Sequence, residues 1–485
     1  METKHKRSSF SGRLGYVMAV AGSAVGLGNI WRFPYLAAKY GGGTFLFTYF
    51  ILAITFGFAL LISETALGRK TKKSPIAAYK QLGAKKLQFG GWLNAIVPML
   101  IVPYYCVVGG WVCKYLFEFI TNNSASLVSD TYFTGFSSST LQPVIWLLVF
   151  AGMVFGVVML GVEKGIEKCS KVLMPALVAM ALFIALYALF TPGAIEGVKY
   201  YLIPDFSRFS IMTVVAAMGQ MFYSLSIGMG ILFTYGSYMK REIDMEQSIT
   251  QVEIMDTLIA FLAGLMIIPA VFAFSGGNPD TLNAGPSLMF ITMPKVFASM
   301  SFGNIIGLVF FLLVLFAALT SAISLMECCV SIIQDRYDFS RKKCCVLIFG
   351  GIALLGIPCS LGFGVLDFIT PLGLSILDFF DFMTNSIMMP ISAACTCLLI
   401  IKVTGFKTVT DEVEYSSKFK RKKAYLFCMK YVVVPGLLII LISSVLSTMG
   451  IIFNLKKTSN EIIITCFLFY CTLHMQRKIR LFLKE

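Results

Sequence analysis

Glycine and polar residues interrupt two otherwise apolar segments of the chain, each near its middle. The run Gly22–Asn29 contains three glycines and an asparagine, and the run Gln220–Gly230 contains a glutamine, hydroxyl side chains and further glycines. Glycine costs about 1 kcal/mol relative to alanine inside a helix, and backbone groups freed by a break cannot face lipid without a large penalty. We therefore expect two broken helices that line a polar cavity. Their free carbonyls can bind a cation, and the positive end of a half-helix can bind an anion.

Three further oxygen-bearing residues lie in apolar surroundings. Asp256 lies in the apolar segment 247–274, where an ionised carboxylate costs at least a few kcal/mol and is by default a functional candidate. Thr320 and Ser321 are adjacent hydroxyls in segment 303–333, where such residues usually bond to the carbonyl one turn back. Beside two broken helices they predict an oxygen-only site for a hard cation. Close helix packing is the alternative explanation for Gly22 and Gly26 taken alone.

The composition indicates that these segments cross a lipid bilayer. Of the 485 residues, 57% are hydrophobic and only 13% are charged, whereas a soluble domain carries about 25% charged residues. Apolar segments are found at about 14–38, 44–67, 89–119, 143–162, 172–190, 209–238, 247–274, 303–333, 344–363, 375–401, 425–453 and 462–475. The last is short for a span. We predict an all-α polytopic membrane protein with 11–12 transmembrane helices and no sizeable soluble domain.

The basic residues predict which side of the membrane each connection faces. The connection 68–86 is rich in lysine and arginine, whereas the stretch 121–142 contains neither. Because cytoplasmic connections carry the excess of basic residues, the N-terminus is expected in the cytoplasm. The net charge of +15 is then a property of these loops and predicts no nucleic-acid partner. The only histidines, His5 and His474, lie near the ends, which argues against a histidine-based metal site or catalytic triad.

The positions of the two breaks predict an internal repeat. They fall in segments one and six of the first ten, as in transporters built from two inverted halves with discontinuous helices. We expect one transmembrane domain over residues 1–485, with repeats at about 7–192 and 205–402 and peripheral helices at about 424–480. Helices 1 and 6 are the discontinuous ones.

Three stretches resemble a known family. GYVMAVAGSAVGLGNIWRFPYLAAKYGGGTF (15–45), GQMFYSLSIGMG (219–230) and ALTSAISLME (318–327) are similar to the sodium-coupled neurotransmitter and amino-acid symporters, whose structural prototype is the bacterial leucine transporter. The resemblance runs from about Arg7 to Lys402. It implies symport of an L-amino acid with Na⁺ by alternating access, without enzymatic chemistry. We expect a monomer or weak homodimer in a bacterial inner membrane.

Carried over residue by residue, the resemblance implies two sodium sites and one substrate site. The first sodium would be held by the substrate carboxylate and by Ala24, Asn29, Ser224 and Asp256. The second would be held by carbonyls of Gly22, Val25 and Ala317 and by hydroxyls of Thr320 and Ser321. The substrate would contact Ser23, Ala24, Leu27, Gly28, Ile101, Tyr105, Tyr223, Ser224, Ser226, Met229, Ser321 and Leu325.

Departures from the family pattern inform the substrate and the ions. Family members that carry monoamines have an aspartate where this chain has Gly26, so the ligand here should bring its own carboxylate. Met229 replaces the phenylalanine of the leucine transporter and, being flexible, favours a large apolar or aromatic amino acid. Chloride-dependent members have asparagine and serine where this chain has Asp256 and Ala260. The fixed carboxylate predicts chloride-independent transport.

The resemblance also implies gates at both ends of the pathway. On the outer side Arg32 and Asp381 should approach each other directly or through water, with Tyr105 and Tyr223 below them. On the inner side, the expected pairs are Arg7 with Asp335 and Tyr238 with Glu327. The alternative for these charges is ordinary anchoring at the membrane surface.

Two other functional classes were weighed on the same residues. A membrane enzyme would need clustered acidic or histidine residues at a membrane face, and Asp378 and Asp381 form the only close acidic pair in a span. A channel or a substrate sensor can also use ion sites at broken helices. The sequence leaves the sensor open.

Overall fold

The computed structural model describes residues 7–275 and 286–448, and these residues form a bundle of helices. The first half contains α1 (Arg13–Ala24), α2 (Gly28–Lys39), α3 (Gly43–Thr71), α4 (Pro75–Gln81), α5 (Gln88–Ile120), α6 (Tyr132–Ser138), α7 (Gln142–Met159), α8 (Val162–Leu189) and α9 (Ala194–Leu202). The second half contains α10 (Ile211–Ser224), α11 (Ile231–Tyr238), α12 (Met245–Ser275), α13 (Leu288–Ser299), α14 (Gly303–Tyr337), α15 (Arg341–Leu361), α16 (Ile376–Thr404), α17 (Phe406–Glu414) and α18 (Lys422–Leu446).

The predicted membrane-spanning segments coincide with these helices. In the described part of the chain, nine helices are long and apolar enough to cross a membrane, and the bent pair α1–α2 adds a tenth. The shorter pair α10–α11 covers the predicted segment 209–238. The predicted segment 462–475 and both histidines lie outside the described residues. The all-helical polytopic fold class is therefore confirmed.

Both predicted breaks are present, and the backbone shows how each is made. The axes of α1 and α2 meet at 54°, and Val25 between them is extended, with φ −74° and ψ 105°. Between α10 and α11 the chain leaves the helix over residues 225–230, where Ser226, Gly228 and Gly230 all have φ between 55° and 75°. A Cβ on Gly228 would lie 2.7 Å from the carbonyl oxygen of Met389. The second break thus needs glycine both for its left-handed backbone and for its close packing.

Long helices surround the two broken ones. Helix α1 packs against α12 and α14, α11 packs along α3, and α5 packs along α14. The two breaks are therefore held between helices that are themselves continuous, which fixes the freed backbone groups away from lipid.

Short helices in the connections are the main elements that hydropathy did not predict. Helices α4 and α17 have 7 and 9 residues, too short to be found by a search for spans of about 20 residues. Helix α17 is amphipathic and buries Val409 and Val413 against the bundle. These short helices tie the ends of the spans together.

Candidate binding site at the helix breaks

A cavity of about 30 Å³ lies at the level of the two helix breaks. All the predicted substrate-contacting residues line it, together with Gly26, Asn29 and Ile231. The two breaks also touch each other, because the hydroxyls of Ser23 and Ser226 lie 3.1 Å apart. The free backbone of both broken helices therefore faces one shared space.

Asp256 lies beside this cavity and is fully buried. Its Oδ1 accepts hydrogen bonds from the Asn29 amide at 2.7 Å and from the Ser224 hydroxyl at 2.6 Å. Its Oδ2 accepts one from the Tyr49 hydroxyl at 3.2 Å, and the Gly26 N–H donates to Asn29 Oδ1 at 3.1 Å. Three predicted sodium ligands thus converge, and Tyr49 belongs to the same cluster.

Residues of the second predicted ion site also lie close together. The Ser321 hydroxyl lies 3.1 Å from the Val25 carbonyl oxygen and 3.4 Å from that of Gly22. The Thr320 hydroxyl lies 3.1 Å from the Ala317 carbonyl oxygen. The described ranges contain no group of three or more His, Cys, Asp or Glu side chains able to hold a metal. The oxygens that face the breaks are therefore carbonyl, amide and hydroxyl oxygens together with the single carboxylate of Asp256, and oxygen ligands suit hard cations.

The cavity wall leaves no room for a side chain at position 26. A Cβ built on Gly26 would lie 2.7 Å from Ser321 Oγ and 3.1 Å from the Tyr105 hydroxyl. The Tyr105 hydroxyl in turn accepts the Leu27 N–H at 3.4 Å. An aspartate at this position would require movement of these neighbours.

Glu64 is a buried acidic residue at the second break that sequence reasoning missed. This side chain on α3 is fully buried, and its Oε1 accepts the Gly228 N–H at 3.1 Å. The sequence signal was a glutamate inside the apolar segment 44–67, as unusual there as Asp256 in its own segment.

A wider cavity of about 310 Å³ lies on one side of the breaks and shares Tyr105 and Tyr223 with the smaller one. Arg32 and Asp381 both line it, but they form no direct ion pair within the described ranges. The Arg32 guanidinium lies over the Tyr223 ring, 5.4 Å from its centre. Asp381 instead accepts hydrogen bonds from Tyr104 at 3.2 Å and Asn385 at 2.5 Å. Sequence reasoning missed both of these partners.

The other end of the bundle is closed by the network predicted around Arg7. Its Nη1 pairs with Asp335 at 2.8 Å, and its guanidinium lies 4.9 Å from the centre of the Tyr238 ring. Tyr238 donates to Glu327 at 2.7 Å. Arg341 also pairs with Glu327, a contact that the sequence did not reveal because Arg341 was one of several basic residues in its connection. The predicted gate residues thus form two groups. Arg32 and Asp381 line the wide cavity on one side of the breaks, and Arg7, Tyr238, Glu327 and Asp335 lie in the network at the other end of the bundle.

Two broken helices around one shared cavity, enclosed by continuous spans, are typical of membrane transporters that bind ions and a small solute near the middle of the bilayer. The model of the sodium:neurotransmitter symporter family matches residues 7–135 and 136–456. The chain therefore belongs to the sodium:neurotransmitter symporter family, whose members are sodium-dependent transporters rather than enzymes.

Individual relatives agree with this assignment. The sodium-dependent transporter YhdH of Bacillus subtilis is 36% identical over 406 residues, covering 82% of this chain and 88% of the relative. The sodium- and chloride-dependent taurine transporter of Rattus norvegicus is 27% identical over 461 residues, covering 84% and 73%. The crystal structure of MhsT in complex with L-phenylalanine matches with a TM-score of 0.82 at 34% identity, covering 90% of this chain and 100% of MhsT.

Proposed function

We propose that this symporter carries an L-amino acid with a large apolar or aromatic side chain, driven by sodium and without chloride. The observation that carries the proposal is the cluster of Asn29, Ser224 and Asp256 against the wall of the cavity between the breaks. In this proposal the substrate carboxylate completes the shell of one sodium ion at that cluster. The second ion binds among the oxygens of Gly22, Val25, Ala317, Thr320 and Ser321.

The shape of the cavity supports a substrate that brings its own carboxylate. A Cβ at Gly26 would meet the side-chain oxygens of Ser321 at 2.7 Å and Tyr105 at 3.1 Å, so an acidic side chain there would require both side chains to shift. In this proposal the substrate carboxylate binds at the start of α2 and takes over the Leu27 N–H from the Tyr105 hydroxyl, which accepts it at a long 3.4 Å, because the first turn of a helix leaves N–H groups without partners inside the helix. MhsT was solved with L-phenylalanine, which supports an amino acid of this kind.

Because the cavity is small, the side chains of Met229 and Tyr223 must move to admit a large substrate. A space of about 30 Å³ must widen to take a large side chain. Met229 is unbranched and flexible, which lets it yield room and contact an aromatic ring through its sulfur. Tyr223, which separates the small cavity from the wider one, moves with it.

The position of Asp256 supports transport without chloride. Its buried carboxylate receives donors from Asn29, Ser224 and Tyr49, the kind of cluster that would otherwise hold an anion. A fixed negative charge beside the sodium site removes the need for a bound one. The rat taurine transporter depends on chloride, so the proposed chloride independence is a difference between this chain and that relative.

Coupling follows from the shared ligands. A sodium ion that binds both to the breaks and to the substrate carboxylate raises the affinity of each for the other, and such coupling is reciprocal. Alternating access then opens the wide cavity past Arg32 and Asp381 on the outer side and the Arg7–Asp335 network on the cytoplasmic side. The two inverted repeats, at about 7–192 and 205–402, tilt relative to each other around the breaks, in a monomer or weak homodimer of the inner membrane.

Uptake into proteoliposomes tests the proposal. The purified protein is screened for sodium-dependent binding of each common amino acid, and uptake of those that bind is driven by a sodium gradient with gluconate in place of chloride. We expect concentrative uptake of an aromatic or large aliphatic amino acid. Binding without sodium dependence, or binding without uptake, would contradict symport and favour a sensor.

The variant D256N tests whether the charge of Asp256 is what allows sodium-driven uptake without chloride. Because it removes the fixed charge but keeps an oxygen ligand, we expect chloride-free uptake to fall at least tenfold. The matched control is D244N, a change on the exposed connection before α12, which should leave uptake unchanged. If the unaltered protein stops transporting when chloride is removed from both sides, chloride independence is wrong.

A further inference from the structure

A separate polar cavity of about 550 Å³ lies at the end of the bundle that holds Arg7. Its walls come from α4, the start of α5 and the end of α14, and its polar lining includes Lys80, Gln81, Gln88, Asp335 and Arg336. None of these residues lines the cavity at the helix breaks. It is therefore separate from the cavity at the helix breaks, although it shares Asp335 with the Arg7 network.

The cavity has an excess of positive charge. The one acidic residue in its polar lining, Asp335, already accepts from Arg7 at 2.8 Å and from the Ser74 N–H at 2.6 Å, and it lies 3.8 Å from Lys73. In residues 7–275 and 286–448, neither Lys80 nor Arg336 forms an ion pair. Two cations and two amide side chains thus face the cavity, a set of donors that suits a phosphate group.

A stripe of exposed apolar side chains adjoins this cavity. Phe89, Trp92 and Ile96 follow Gln88 on α5, and their exposed fractions are 63%, 41% and 37%. Their spacing of three and four residues places them on one face of the helix. Arg336 lies over the Trp92 ring, 5.9 Å from its centre. The basic cavity therefore opens beside an apolar surface, as expected where headgroups meet hydrocarbon.

We propose that this cavity binds the phosphate of an anionic phospholipid. Lys80 and Arg336 hold the phosphate, and an acyl chain lies along Phe89, Trp92 and Ile96. A free phosphate ion would use the same cations but gain nothing from the stripe. A zwitterionic headgroup would bring a positive charge of its own next to Lys80 and Arg336, which favours the anionic lipid. The proposal is independent of the substrate and chloride assignments.

Lipid retention measured by native mass spectrometry tests the site. The protein is released from nanodiscs that contain phosphatidylglycerol and phosphatidylcholine, and the affinity ratio of the two lipids is determined. For K80Q/R336Q we expect the preference for phosphatidylglycerol to fall about thirtyfold, since each basic residue near the surface contributes about 1 kcal/mol toward anionic lipid.

Matched variants keep the test specific. K85Q/K86Q removes two exposed lysines from the same connection, and these do not line the cavity, so it should retain the preference. K80R/R336K keeps both charges and should also retain it, which guards against misfolding as the cause of a loss. An equal loss in K85Q/K86Q, or no loss in K80Q/R336Q, would overturn the proposal.

A final arm separates the two sources of phosphate. Inorganic phosphate is added to protein in nanodiscs of phosphatidylcholine alone. We expect no adduct that depends on Lys80 and Arg336. Such an adduct, without any preference for phosphatidylglycerol over phosphatidylcholine, would assign the cavity to a soluble anion and overturn the lipid as its occupant.

Discussion

Gly26 lies at the first helix break, where the side chains of Ser321 and Tyr105 approach the backbone closely. We expect G26A to weaken sodium-dependent substrate binding about five- to a hundredfold, because its Cβ would lie 2.7 Å from Ser321 Oγ and overpacking costs about 1–3 kcal/mol. Binding isotherms of the transported amino acid would measure this. G156A is the control, since a Cβ there meets nothing within 4 Å. Equal affinity in G26A and G156A would contradict the close approach.

Tyr104 donates a hydrogen bond to Asp381 in the wide cavity, where Arg32 lies over the Tyr223 ring instead of pairing with Asp381. Removing its hydroxyl in Y104F frees Asp381 Oδ1 from a 3.2 Å hydrogen bond, so we expect Asp381 to pair with Arg32 and close the cavity. One hydrogen bond is worth about 0.5–1.5 kcal/mol, which predicts about two- to tenfold slower labelling of a cysteine introduced by S386C. Y187F, whose hydroxyl bonds to Ser301, should not alter the labelling rate. Faster labelling in Y104F would show that Tyr104 keeps the cavity closed instead.

At the scale of elements, a buried ion pair between Arg69 and Glu412 attaches the short helix α17 to the bundle. Arg69 on α3 is fully buried, its Nε donates to Glu412 at 2.9 Å, and its Nη1 donates to the Ile243 carbonyl at 2.9 Å. One arginine therefore joins α3, α17 and the connection between α11 and α12.

Breaking this pair should destabilise the protein strongly. In E412Q the buried Arg69 charge loses its partner, and such losses cost about 3–5 kcal/mol. We expect a clear fall in the thermal unfolding temperature of the detergent-solubilised protein. E196Q is the control, because its pair with Lys199 is more than half exposed and exposed pairs contribute about 0–1 kcal/mol. Equal unfolding temperatures for the two variants would contradict a stabilising role for the Arg69–Glu412 pair.

The sequence predicted those elements that a short stretch of residues reveals by its own composition. Glycines and amides inside apolar runs marked both breaks, because lipid tolerates neither without a protein-lined cavity. The short helices α4 and α17 escaped prediction because a connection of that length leaves no span-sized pattern. The contacts of Tyr104 with Asp381 and of Arg341 with Glu327 escaped for another reason. Each depends on how separate helices are packed, which a single sequence does not encode locally.

At the scale of the whole molecule, different interactions hold the residues at the two ends of the pathway. The Arg7 end is held by charge-assisted hydrogen bonds to Asp335 at 2.8 Å and Ser331 at 2.9 Å. Among the described residues, the Asp381 end has the cation–π contact of Arg32 with Tyr223 and the hydrogen bonds from Tyr104 and Asn385 to Asp381. The hydrogen bonds at both ends involve a charged group, but the Arg7–Asp335 contact joins two opposite charges, whereas Tyr104 and Asn385 are neutral donors to Asp381. This difference favours opening at the Asp381 end.

Reversing the charge of Arg7 should release the closed end. R7E places a carboxylate beside Asp335 and removes the donors to Ser237 and Ser331. Because hydrogen bonds to charged groups are worth about 1.5–3 kcal/mol, we expect amide hydrogen exchange in α11 to become at least tenfold faster. R13E is the control, since Arg13 bonds only to the exposed side chains of Gln247 and Gln251. Unchanged exchange in R7E would show that Arg7 does not hold this end shut.

The crowding around Gly26 also limits how this chain can diversify. An acidic side chain there would collide with Ser321 and Tyr105, and Ser321 also contacts the carbonyls of the first break. A descendant that accepts amines lacking a carboxylate must therefore alter at least two positions together, and one of them disturbs ion coordination. Under the proposed function, such a switch in substrate class would first weaken sodium-coupled binding, which favours the retention of substrates that bring their own carboxylate.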